Sequence, residues 1–229
     1  MQGTVPPPER TGLLYDSRRD LYYTKPLLRG WLHLAWFAAS LVSGTLLVVH
    51  ADGALARTAA VVYAVSVTAL FGTSALYHRG RWAPRAARRL QRLDHAMIFL
   101  LIAGSATPGF LLASGGTFRV SCLALLWLLT ITAATVHLAW MHAPEQLVGS
   151  VFIGLGAVAG LSLPGIWHHA GVVASALLLA GGLLYIAGAV SYHRRRPDPV
   201  PNVFGYHEVF HAYVCAAATC HFIAVAALF

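Results

Sequence analysis

Seven apolar stretches, each long enough to cross a bilayer as a helix, dominate this chain and leave it few folds to adopt. They run over residues 31–50, 54–77, 95–113, 118–141, 146–167, 170–192 and 206–229. Inside lipid no water can satisfy backbone N–H and C=O groups, so a spanning segment is either a helix or part of a closed barrel. Runs of about 20 residues without polar alternation select the helix. The expected fold is therefore all-α, a polytopic seven-transmembrane helix bundle over residues 31–229. A short cytoplasmic segment, residues 1–30, precedes it. Only 10% of the residues are charged, where a soluble domain carries about 25%.

The connections are short and marked by turn residues: Asp52-Gly53, Ser114-Gly115-Gly116, His142-Ala143-Pro144, residues 168–171, and the proline-rich stretch 194–201. No cleavable signal peptide is expected, because residues 1–30 are polar and interrupted by Pro6, Pro7 and Pro8. The two halves show no internal repeat, which disfavours a transporter built on two-fold symmetry.

Lys and Arg set the expected orientation. Arg10, Arg18, Arg19, Lys25 and Arg29 precede the first run. Arg79, Arg81, Arg85, Arg88, Arg89 and Arg92 follow the second, and Arg194, Arg195 and Arg196 follow the sixth. With seven spans all of these fall on one side, and only Arg57 and Arg119 fall on the other. The positive-inside rule places the N-terminus in the cytoplasm and the C-terminus outside. The net charge of +8 thus reflects orientation and anionic lipid head groups, not nucleic acid. Cys122, Cys215 and Cys220 lie in apolar runs without CxxC spacing and read as small packing residues.

Ionisable residues inside these runs are the informative exceptions, since they are unfavourable in lipid and usually mark function. His78 ends the second run, Asp94 opens the third, and His207 and His211 open the seventh. In the predicted topology all four sit near the cytoplasmic face. His207 and His211 are spaced i, i+4, as are Ser74 and His78, so each pair shares one helix face. Three imidazoles from two helices suit a zinc ion with a fourth position left for water, whose pKa zinc brings to about 7. Asp94 would accept a proton from that water, and Ser74 would hydrogen-bond a ligand, the water or a substrate oxygen.

Plainer readings stand beside this one. An HxxxH pair in an apolar helix often only hydrogen-bonds between helices, and Asp94 could cap its helix or pair with Arg92. His95 points about 100° from Asp94 on the helix and reads as interfacial. His221 lies too deep to share a metal with His207 and should bond a neighbouring helix. His50, His168 and His169 belong to the opposite side. His33, His137, His142 and His193 are explained by interfacial solvation, and Glu208 by a solvated first turn. Gly104, Pro108 and Gly109 suggest close packing or a lateral opening.

The stretches Ser74-Ala-Leu-Tyr-His78, Arg92-Leu-Asp94-His95, Ile102-Ala-Gly-Ser-Ala-Thr-Pro108, Phe204-Gly-Tyr-His207-Glu-Val-Phe-His211 and Cys220-His221-Phe222 resemble the hemolysin III branch of the progestin and adipoQ receptor family. That branch sits in a larger group of seven-span membrane hydrolases that includes the alkaline ceramidases. The resemblance runs from about residue 20 to the C-terminus. It implies that His78, His207 and His211 bind zinc, that Asp94 reaches the metal through water, and that Ser74 completes the polar cluster. It also implies hydrolysis of a lipid amide or ester drawn from the inner leaflet, in a multi-pass protein of the cell membrane. A membrane sensor or homeostasis protein with structural zinc is the alternative. A lytic pore is disfavoured, because no run carries an evenly spaced polar stripe.

Overall fold

The computed structural model describes residues 14–16, 21–140 and 143–229. A short antiparallel strand pair, β1 (Leu14–Asp16) and β2 (Leu21–Tyr23), precedes seven helices. These are α1 (Trp31–His50), α2 (Gly53–Arg79), α3 (Pro84–Ala113), α4 (Gly116–Ala139), α5 (Glu145–Gly160), α6 (Leu163–Arg194) and α7 (Tyr206–Ala226). All except α5, which has 16 residues, are long and apolar enough to cross a membrane. Apart from that strand pair the described elements are all helices, and the chain is a multi-pass membrane protein.

Two boundaries differ from the sequence expectation, each for a local reason. α3 begins at Pro84, well before residue 95. Proline is favourable in a first helical turn, where its missing N–H costs nothing, and the Ala, Arg, Leu and Gln that follow are good helix formers. Arg85, Arg88, Arg89 and Arg92 therefore lie on a helix and not in a loop. Asp94 sits in the interior of α3, so it does not cap it. The fifth apolar run is interrupted only locally before Pro164, where Leu161 and Ser162 keep right-handed helical backbone angles between α5 and the start of α6. The turn expected at residues 168–171 survives as a kink at Gly171, whose φ of 81° is open to glycine at no steric cost.

The helices alternate in direction. The Tyr192 ring near the end of α6 lies 5.2 Å from His207 at the start of α7. At the far end of the same pair, the His169 ring nitrogen is 3.3 Å from the Leu228 carbonyl. The peptide N–H groups of Leu27 and Leu28 donate to Asn202 and Val203 carbonyls at 3.0 and 3.1 Å. Lys25 Nζ donates to the Gly80 carbonyl at 3.4 Å. The cationic segments before α1, after α2 and after α6 thus meet at one end of the bundle. There burial, with Arg79, Arg29 and Arg81 close by, pushes the Lys25 ammonium below its ordinary pKa.

α3 runs through the middle and touches α2, α4, α5, α6 and α7. One apolar cluster joins α1, α2, α3 and α7 around Phe71, Tyr63 and Leu101. Another joins α3, α4 and α5 around Phe99, Phe110 and Leu126. Helices in lipid gain little from hydrophobic transfer against one another, so small residues that admit close approach carry the packing. Gly104 faces Ser66 of α2 so closely that a Cβ there would overlap the Ser66 side chain. Pro108 is fully buried, and Gly109 packs against Ile166. The residues that suggested a lateral opening are therefore packed shut.

Candidate metal centre

The start of α7 is fixed by two acids, Glu208 in its first turn and Asp198 in the connection before it. Glu208 Oε2 accepts the Gly205 peptide N–H at 2.9 Å, and Asp198 Oδ1 accepts that of Tyr206 at 2.8 Å. Both satisfy donors that a helix N-terminus otherwise leaves orphaned. The other Glu208 oxygen accepts from Arg29 Nε, and both side chains are buried. Glu208 is therefore not the solvated acid expected from its place in the first turn. It ties the chain entering α1 to the helix that carries His207 and His211.

α2 brings His78 to the same point from the other side. His78 Nε2 lies 3.3 Å from His207 Nε2 and 3.6 Å from Asp94 Oδ2. The His78, His207 and His211 rings meet pairwise, with centroids 4.7, 5.0 and 4.6 Å apart. One donor nitrogen from each falls within 4.8 Å of the others, so the trio could hold a metal ion. Two nitrogens about 2.0–2.1 Å from a tetrahedral ion lie about 3.3 Å apart, the separation between His78 and His207. His211 adds a buried Nδ1 with no hydrogen-bond partner. The donor set therefore fits a metal.

Ser74, one helical turn before His78, is buried; its Oγ lies 2.8 Å from His33 Nδ1, and its hydroxyl acts on the nearby Asp94 carboxylate. All five residues singled out in the sequence thus come together at one end of the bundle. His33 joins them although interfacial solvation was expected for it. It is buried, and its ring stacks on that of His211 at a centroid distance of 3.7 Å. A histidine in the first turn of the first long helix was the signal, but nothing in the sequence shows which neighbour that turn faces. His137 is also buried; its ring lies 5.6 Å from His95 and 5.8 Å from Phe99, apart from the trio. His221 bonds across to α6, its Nε2 being 3.1 Å from the Leu178 carbonyl, as its depth required. The three cysteines are free and at least partly buried. His142 lies outside the described residues.

Comparison with known proteins agrees with the motifs. A family model described as "Haemolysin-III related" matches residues 21–222. The chain is 28% identical over 183 residues to "Hemolysin-3" of Bacillus cereus, covering 79% of this chain and 80% of that one. It is 24% identical to the "Hemolysin-3 homolog" of Bacillus subtilis (strain 168), covering 72% and 74% of the two chains. A human relative, "Monocyte to macrophage differentiation factor", is 23% identical over 85% of this chain and 80% of its own length. With seven helices, a converging histidine trio and a matching family model over most of its length, the chain belongs to the haemolysin-III related family, the branch of the progestin and adipoQ receptor family that its motifs resemble.

Proposed function

We propose that this protein is a zinc-dependent membrane hydrolase that cleaves an amide or ester of a lipid. The observation that carries the reading is the convergence of three imidazole nitrogens with a carboxylate oxygen 3.6 Å from one of them. His78, His207 and His211 hold the ion. Uncharged imidazoles beside a carboxylate suit zinc among the abundant divalent metals. When bound, zinc supplies a Lewis acid for a carbonyl oxygen and a water that ionises at neutral pH. Asp94 accepts the proton that the nucleophile sheds and returns it to the departing amine or alkoxide. Ser74, anchored by His33, orients the Asp94 carboxylate. The cationic segments gathered at this end of the bundle support a cytoplasmic N-terminus and entry of substrate from the inner leaflet of the cell membrane.

The test is lipid turnover by protein reconstituted in vesicles of defined amide and ester lipids. Released fatty acid is measured by mass spectrometry for wild type and for Asp94→Ala. Wild type should release fatty acid, and Asp94→Ala should keep its metal while losing about 10²–10⁴-fold in rate, the usual contribution of a general base. No release by metal-loaded wild type from any of these lipids would contradict the reading. A second reading, a sensor stapled by structural metal, draws on the burial of His78 and His211, which restricts access of a substrate to the ion. It predicts that Asp94→Ala leaves both metal and membrane phenotype unchanged.

A further inference from the structure

A fourth imidazole lies against the trio with no part in holding the ion. His33, in the first turn of α1, is buried, with its ring plane within 10° of that of His211. Phe71 closes on it edge-on, with centroids 5.0 Å apart and planes at 85°. Its Nδ1 is engaged by Ser74, and its Nε2 has no hydrogen-bond partner. A histidine that binds a metal is normally held in orientation by a hydrogen bond from its second ring nitrogen to a carboxylate, a carbonyl or water. Among the described residues no side chain or carbonyl hydrogen-bonds either ring nitrogen of His211, so whichever nitrogen faces the ion, the other lacks such a bond. The plane of the His211 ring must therefore be set by packing, and the flat group packed against it is His33.

We infer that His33 is a positioning residue of the metal centre: its ring clamps the plane of His211 while its Nδ1 holds the Ser74 hydroxyl beside Asp94. This rests on the proposal that the trio binds a metal, and it adds α1 as a third helix on which the affinity of that site depends. A flat ring at position 33 is what the clamp requires, so shape and hydrogen bonding can be separated. Phe preserves the ring and removes the bond to Ser74. Leu is apolar and of comparable bulk but cannot lie flat against an imidazole.

The experiment uses full-length protein in detergent, loaded with Zn2+ for affinity by chelator competition and with Co2+ for its visible absorption spectrum. His33→Phe should bind zinc within about threefold of wild type and keep the cobalt spectrum. His33→Leu should lose about 10–100-fold in zinc affinity, the usual cost of removing a group that orients a ligand, and shift the cobalt bands. Should His33→Leu fail to fold, Phe71→Leu serves in its place. That variant frees the outer face of His33 without altering a donor, and should weaken zinc several-fold. Wild-type affinity and spectrum in the variant measured would overturn the inference, as would equal losses for His33→Phe and His33→Leu. If wild type itself takes up no metal, it is the proposed function that fails, and the two failures are distinguishable.

Discussion

At the scale of single residues, the Arg29–Glu208 pair explains why the donors on α7 stay where they are. A buried ion pair contributes little net stability, but removing one partner strands a charge and costs about 3–5 kcal/mol. Glu208→Gln should therefore lower the thermal midpoint of the purified protein markedly and loosen metal retention through the adjacent His207. Replacing both partners, Arg29→Met with Glu208→Gln, should recover part of the loss. An unchanged melting curve for Glu208→Gln alone would show that the pair does not anchor the helix. The sequence could not announce this pair. Its members are 179 residues apart, and Glu208 sits where a solvated first-turn acid is the ordinary expectation. His33 was hidden for the same reason: the helical period says which residues share a face, not what that face meets. His78, Asp94, His207 and His211 were legible because ionisable groups within apolar runs stand out against their surroundings.

At the scale of helices, close approach is written in small residues. Gly104 of α3 and Ser66 of α2 leave no room for a methyl group, and Ser66 Oγ already donates to the Val62 carbonyl at 2.7 Å. Gly104→Ala should force the two helices apart and cost about 1–3 kcal/mol, read as a lower midpoint in thermal unfolding. Ser66→Gly should rescue it in the double variant. Equal midpoints for wild type and Gly104→Ala would refute the contact. Helix existence was legible throughout from run length, whereas helix ends were not. Pro84 started α3 early by offering a compatible first turn, and Pro164, with no N–H to donate, interrupts the fifth run only locally, the reversal falling at Gly171 inside the expected turn. Hydropathy reports what lipid tolerates, while prolines decide where a helix can begin.

At the scale of the whole molecule, seven alternating helices bring the cationic segments and the histidine trio to the same end of the bundle. The count of Lys and Arg on either side anticipated that arrangement without any knowledge of the contacts. A reporter that fluoresces only in the cytoplasm should be active when fused before Met1 and silent after Phe229. The opposite pattern would invert the topology and move the site to the outer leaflet. The central claim is that the second and seventh helices share one metal ion. It is tested most directly by elemental analysis of purified protein, with His207→Ala alongside. The account predicts close to one zinc per chain in wild type and none in the variant. Wild type free of metal after zinc-replete preparation, or full zinc in His207→Ala, would contradict it.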